Sequence, residues 1–332
     1  MARNITSATA PRKVIYVTGY GRSGSTLLDI ALGSHPRIFG AGELTALARH
    51  VWENGEYCAC GAQVQNCEFW QQVVASWAGG SADQKQALRG IAVRQRRLEG
   101  LVSWRRMAGK RFVPWLGGHL EQLGRLLDGI AEQFGVEDPI IVDSSKLPGR
   151  GFVLAATPGI QLYVVHLVRD ARGVAWSLSK PHIRSIEQGV QRDLHPKPAA
   201  YVALRWSVVN LAAELLRARV GKGQSMRICY EDFVADPAAA LQDIAEMCGA
   251  EWNEAADTAA RSPLNPAHQV AGSRHRTSRD LQIRADEEWR SQMPENKSRL
   301  VTVLAAPLLR RYGYPLGIKS EEQSAKVLQA EA

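Results

Sequence analysis

The octapeptide Gly19-Tyr20-Gly21-Arg22-Ser23-Gly24-Ser25-Thr26 sets two glycines five apart ahead of a Ser-Thr pair, the spacing of a P-loop. It follows a β-branched and aromatic run, Lys13 to Thr18, and opens Thr26 to Leu32, which is apolar at helical spacing. Strand, glycine turn and helix in that order make an anion-binding device. Glycines let successive N–H groups turn inward, and the helix N-terminus adds partial positive charge, so a phosphate can be held largely by main chain. A nucleoside triphosphatase places Lys where Ser25 stands, to reach the β and γ phosphates. The fixed cation here is Arg22, whose guanidinium can bridge a phosphate and a neighbouring anionic group. Asp143, ending an apolar run, would suit a magnesium ion, so a magnesium-dependent P-loop kinase stands as an alternative reading.

Cys58-Ala59-Cys60 with Cys67, and His50 upstream, offer a second set of reactive side chains. Their spacing matches no standard zinc signature; free thiols or a disulfide are the expected state, and no metal is assigned. Cys229 and Cys248 sit singly in apolar surroundings, as buried thiols do, and five cysteines make no disulfide framework, which fits a reducing compartment. His166, flanked by Val and Leu, and His35, before Pro36, read as structural.

The elements that must position these groups follow from hydrophobic pattern. Lys13–Thr18, Pro139–Asp143, Gln161–Val168 and Met226–Tyr230 are apolar runs of strand length, most of them leading into a helical segment. Such alternation predicts an α/β fold: a P-loop-type parallel sheet flanked by helices. Ala82 to Gln133 contains no strand and reads as two long helices broken around Pro114 and Gly117-Gly118. This helical insertion, about residues 82–134, is expected to pack beside the sheet and shape an acceptor pocket, with Trp104, Phe112 and Trp115 as core or lining. A further helix is expected from Ala199 to Ala218. The organisation predicted is a tail at 1–12, a single domain at 13–315 and a polar tail at 316–332.

The chain has 332 residues, 45% hydrophobic and 22% charged, which places it among folded globular proteins. The apolar stretches Ile160–Val165 and Val301–Leu309 fall short of the roughly 20 residues a spanning helix needs. With no apolar signal core in Met1–Lys13, a cytoplasmic location is expected. Forty-one Lys and Arg against thirty-three Asp and Glu give +8, an excess that favours anionic ligands. The basic residues are spread along the chain, and runs such as Arg94, Arg96 and Arg97 have the spacing of a solvated helix face. Nucleic acid is therefore not the expected partner, although a non-enzymatic polyanion-binding protein remains a third reading.

The block Arg22-Ser23-Gly24-Ser25-Thr26-Leu27-Leu28, then Ser34-His35-Pro36, then Gly42-Glu43, resembles the amino-terminal block of sulfotransferases that use 3′-phosphoadenosine 5′-phosphosulfate, in their bacterial and tyrosylprotein-type branches. The resemblance implies that Gly21, Arg22, Ser23, Gly24, Ser25 and Thr26 hold the 5′-phosphosulfate. The stretch from His166 to Ser177 is similar to the family's 3′-phosphate motif, in which Arg169 and Ser177 converge on that phosphate. Tyr230-Glu231-Asp232-Phe233 resembles the segment whose tyrosine approaches the nucleotide, and Gly272-Ser273-Arg274-His275-Arg276 the late basic loop, with Arg276 chosen ahead of Arg274 as its nucleotide contact.

Sulfuryl transfer needs cations where charge grows on the departing phosphate and a base facing the acceptor. It demands no metal, because the sulfuryl group carries less negative charge than a phosphoryl group. Small-molecule members of the family use a His in a Lys-Thr-His-Leu-Pro segment; here the matching stretch is Ser144-Ser145-Lys146-Leu147-Pro148, and that His is missing. The tyrosylprotein-type branch uses a Glu after its Gly, a place Glu43 occupies after Gly42. The resemblance thus implies Glu43 as general base, partly desolvated, with Arg22 and Lys146 stabilising the transferring group. The acceptor is expected to be a small molecule, a carbohydrate or a glycolipid.

Overall fold

The computed structural model describes residues 11–100, 117–181, 183–185, 191 and 193–317. Its first half runs β1 (Arg12–Thr18), α1 (Ser25–Leu32), β2 (Ile38–Gly40), α2 (Leu44–Ala46, continuing into a π-turn at Leu47–Val51), α3 (Glu68–Trp77), α4 (Gln84–Leu98) and α5 (Gly117–Phe134). The chain then alternates: β3 (Ile140–Lys146), α6 (Pro148–Ala156), β4 (Ile160–Val168), α7 (Ala171–Ser179), α8 (Ala199–Val220) and β5 (Ser225–Cys229). It closes with α9 (Tyr230–Ala235), α10 (Pro237–Cys248), α11 (Glu254–Arg261), α12 (Trp289–Gln292) and α13 (Glu295–Arg311).

The five strands form one parallel sheet in the order β2-β3-β1-β4-β5, flanked by helices. Side chains of β1 alternate between its faces as the pleat requires. Val14 and Tyr16 join one apolar cluster with Trp70 and Val73 of α3, Leu123 and Leu127 of α5 and Phe152 of α6. Ile15 and Val17 join another with Leu28 of α1 and Leu241 and Ile244 of α10. The central strands β1, β3 and β4 are therefore buried on both faces, the reason they read as apolar runs, while the edge strand β5 is only partly buried. Because chain order turns back on itself at β1, the loops after β1, β3 and β4 meet at the carboxyl edge, the place where open α/β sheets bind ligands.

Several elements depart from the sequence expectation. Ile38–Gly40 forms a three-residue strand, too short to declare itself, so β2 intervenes before β3. β3 runs on to Lys146, which puts Asp143 inside the strand rather than at its end. The helices of the proposed insertion are Gln84–Leu98 and Gly117–Phe134, the second packed on the sheet's cluster as expected; Trp104, Phe112 and Trp115 lie outside the described residues. α8, with 22 residues and a mean hydropathy of 1.2 over its most apolar window, is long and apolar enough to cross a membrane by length and composition. It buries Val202, Trp206, Val209 and Leu216 against the body of the protein and leaves Tyr201, Leu204, Val208, Leu211 and Leu215 exposed.

Candidate active site

The site begins with the turn after β1. Gly19 has φ 134, and a Cβ there would stand 2.3 Å from the Leu167 carbonyl oxygen of β4, so only glycine lets the chain leave the sheet at this point. Arg22 also adopts a left-handed conformation, φ 71, a strained setting for a residue with a side chain. Gly24, φ 88, is the N-cap of α1, and no side chain caps that helix, which leaves its first N–H groups to a ligand. The Ser23 hydroxyl turns back to donate to the Tyr20 carbonyl at 2.8 Å and so braces the turn. Thr26 Oγ1 accepts from the Ser273 N–H at 3.1 Å, tying the turn to the late basic loop.

Arg22 Nε donates to Ser177 Oγ at 2.9 Å, and Arg169 Nη1 donates to the Arg22 carbonyl at 3.2 Å. The two arginine-bearing turns singled out in the sequence thus meet in one basin. Arg169 is held by Asp286, at 3.0 Å to its carboxylate and 2.6 Å to its carbonyl, and its guanidinium lies 4.6 Å over the Tyr230 ring. Tyr230 in turn packs against Gly24, where a Cβ would approach the ring to 2.6 Å. Burial lowers the proton affinity of the Arg22 guanidinium from its usual value, and the charges of Arg169 and Arg274 lower it further, against the opposing effect of Asp286. His275 is lowered in the same way, by burial and then by Arg274 and Arg22. A surplus of positive charge crowded into one half-buried place calls for an anion. Arg169 Nε and Ser273 Oγ, both buried without a hydrogen-bond partner among the described residues, are donors such an anion would satisfy.

Arg276 is placed differently from the sequence expectation. It is 1% exposed, donates from Nη2 to the Tyr57 carbonyl at 3.2 Å and lies 3.8 Å from Glu56. The exposed arginine of that loop, whose charge reaches Arg22, is Arg274.

Beside this basin stand Glu43 and Lys146. The register between β1 and β3 slips, with Tyr16 opposite Asp143 but Thr18 opposite Lys146, so β3 carries an extra residue. This bulge turns Lys146 to φ 71 and offers its carbonyl to Thr18 Oγ1 at 2.9 Å and Gly19 N–H at 3.2 Å. Its ammonium pairs with the Glu43 carboxylate, and both side chains are largely buried. Glu43 is positioned from behind: its N–H donates to the Val270 carbonyl at 2.9 Å, and the preceding Gly42 N–H donates to Asp29 Oδ2 at 3.1 Å. Gly42, φ 81, would drive a Cβ to 2.1 Å from the Val270 carbonyl. Burial pushes the Asp29 carboxyl up to about 7, against the hydrogen bonds it accepts.

Asp143 is not available to a magnesium ion. It is fully buried, with Oδ2 bound to Arg150 Nε at 2.9 Å and Oδ1 accepting from the Ser145 N–H at 3.0 Å and the Ser145 hydroxyl. The kinase reading thereby loses its metal-binding carboxylate as well as its lysine. His166 is a satisfied core histidine, fully buried at 2.9 Å from Asn210 Oδ1 and lowered by burial to about 4. His35 holds backbone on both ring nitrogens, at 2.9 Å from the Glu251 carbonyl and accepting from Arg37 N–H at 3.1 Å. Asp29, Asp286 and Ser273 also serve the site; Ser273 belongs to the late basic block, while an isolated Asp in a helix or loop gives no pattern to find.

A parallel sheet whose carboxyl edge carries a cationic turn, a helix N-terminus and a second arginine-bearing turn defines an α/β protein built to bind an anionic ligand. The model of the sulfotransferase family matches residues 14–254, and the chain belongs to that family. No curated protein matches the chain. Similar solved structures include the sulfotransferase domain from the curacin biosynthetic pathway, 16% identical over 93% of this chain and 100% of that one, with a TM-score of 0.49. The sulfotransferase domain from the Synechococcus PCC 7002 olefin synthase is 20% identical over 91% and 96%, TM-score 0.47. Sulfotransferase STF9 from Mycobacterium avium is 13% identical over 93% and 78%, TM-score 0.48.

Proposed function

We propose that the protein is a sulfotransferase that moves a sulfuryl group from 3′-phosphoadenosine 5′-phosphosulfate to a hydroxyl or amine of a small-molecule, carbohydrate or glycolipid acceptor. The observation that carries this reading is the meeting of Arg22, Ser177 and Arg169 at the uncapped start of α1, in a family of sulfotransferases. Such a basin suits a ligand with two separate terminal anions. In this assignment the turn from Gly21 to Thr26 and Arg22 hold the 5′ end of the donor, and Arg169 and Ser177 hold its 3′-phosphate. Tyr230 braces the nucleotide side, Arg274 covers it, and Arg276 anchors the loop from within. The donor supplies an activated sulfuryl group. Glu43 takes the acceptor proton as general base, and Lys146 orients that carboxylate and offers positive charge to the transferring sulfonate.

Titration of the purified protein with 3′-phosphoadenosine 5′-phosphate against ATP and magnesium tests the donor site. Selective binding of the former, weakened about tenfold or more in Arg169→Ala, is expected. Equal or stronger binding of ATP would remove the assignment. Affinity that falls steeply with salt yet ignores Arg169→Ala would point to a general polyanion binder. With an acceptor found by screening against radiolabelled donor, Glu43→Gln is expected to keep nucleotide affinity while kcat falls about 100-fold or more. Unchanged turnover would take Glu43 out of the chemistry.

A further inference from the structure

Away from the basin, four side chains with metal-binding atoms converge: Cys58, Cys60, Cys67 and His268, whose sulfurs and ring nitrogen all lie within 4.8 Å of one another. The sequence set these cysteines beside His50, but His50 turns to its neighbour Arg49, and the imidazole that completes the group comes from His268, 201 residues beyond Cys67. Cys60 and Cys67 sulfurs are 3.8 Å apart, and Cys67 and Cys58 sulfurs 3.9 Å. His268 Nδ1 is 3.3 Å from Cys67 Sγ and 3.7 Å from Cys58 Sγ. Disulfide bonding would require about 2.05 Å, so these are separate thiols. Zinc–sulfur bonds of about 2.3 Å and zinc–nitrogen bonds of about 2.0–2.1 Å in a tetrahedron place sulfurs about 3.8 Å apart and sulfur and nitrogen about 3.5–3.6 Å apart. The four separations scatter around those values.

We propose that Cys58, Cys60, Cys67 and His268 bind one zinc ion, held by four protein ligands and therefore structural rather than catalytic. The surroundings are arranged for it. Cys58 and Cys60 lie on a tight turn closed by the Gly61 N–H to the Cys58 carbonyl at 3.0 Å, with Gly61 at φ 95. Cys67 is the N-cap of α3, where the helix N-terminus favours a thiolate. The His268 ring stacks on Phe69 at 4.9 Å, and the His268 carbonyl accepts from Trp70 Nε1 at 2.6 Å, so α3 fixes both the ring and its backbone.

The ion would join the segment around Cys58 to the segment around His268, which the Ala59 N–H already reaches through the Gln269 carbonyl at 3.1 Å. The second segment supplies Val270 to Glu43 and Ser273 to Thr26. The metal would thus clamp, from behind, the strap that positions both the candidate base and the phosphate turn.

Elemental analysis of the full-length protein, purified under reducing conditions without chelator, is expected to find about one zinc per chain. Replacement with Co(II) is expected to give the thiolate charge-transfer band and the intense visible bands of a tetrahedral sulfur-rich site. Cys60→Ser, at the surface, and His268→Ala should each lose at least half of the bound metal, while Cys229→Ser, outside the cluster, should retain it. Substoichiometric zinc, below about 0.1 per chain, together with no charge-transfer band when the reduced protein is titrated with Co(II), overturns the proposal. So does full metal content with an unchanged cobalt spectrum in both ligand variants. None of these readouts depends on sulfuryl transfer.

Discussion

Asp29 carries the most instructive single charge in the molecule. It is fully buried on α1, and its two oxygens hold Gly42 N–H and the Gln269 side chain, the neighbours of Glu43 and of His268. Burial raises its carboxyl from 3.8 to about 7. Between those values the folded chain binds a proton that the unfolded chain has released, so stability falls as pH rises from about 4 through about 7. The slope from this one group approaches about 1.4 kcal/mol per pH unit within that window. Asp29→Asn keeps an acceptor and removes the titration. Urea unfolding between pH 5 and pH 8 is expected to show that component of the slope in the native protein and to lose it in the variant; an identical slope in both would mean that Asp29 does not hold its proton to neutral pH.

At the scale of elements, the turn after β1 is legible in sequence because its conformation demands particular residues. Gly24 illustrates it: φ 88 and a Tyr230 ring 2.6 Å from where a Cβ would stand exclude any side chain, whereas a Cβ on Gly21 would meet nothing within 4 Å. Gly24→Ala is therefore expected to cost about 1–3 kcal/mol in strain and to weaken 3′-phosphoadenosine 5′-phosphate binding about tenfold or more. Gly21→Ala meets no protein atom and should cost little stability, so the thermal-unfolding midpoints of the two variants separate conformational need from mere glycine content. β1, β3 and β4 are readable for a related reason, since burial on both faces writes their central residues as apolar runs, whereas β5 lies at the sheet edge and is only partly buried. β2 is not readable, because three residues carry no period. The choice of Arg276 ahead of Arg274 had no local pattern behind it, because the two are two residues apart on a short 3-10 turn and which of them faces inward depends on Glu56 and Tyr57, distant in the chain. His268 escaped for the same reason: the fold, not the spacing, brings it to the three cysteines.

Across the whole molecule, one guanidinium joins four elements. Arg150 of α6 binds Asp143 of β3 at 2.9 Å and Glu99, at the end of α4, at 2.8 Å, and Glu99 meets His119 of α5 at 2.7 Å. All four side chains are at most 5% exposed. Burial alone would raise the Glu99 carboxyl, but Arg150 and His119 override it and hold the group below its usual range. Their separations in the chain, up to 51 residues, hide the network from any local reading. Removing one partner of a buried pair leaves the others charged and unanswered, a loss of about 3–5 kcal/mol. Arg150→Met keeps much of the aliphatic volume, so its cost is chiefly electrostatic. Glu99, where the Arg150 charge is the largest influence opposing burial, would then bind a proton more readily in the folded state, and that part of the cost is relieved as it protonates. The variant's deficit relative to the native protein should therefore be largest near pH 8 and shrink toward pH 5, as measured by the midpoint of thermal unfolding. A deficit independent of pH would assign the cost to packing, and the site's scaffold to its apolar clusters alone.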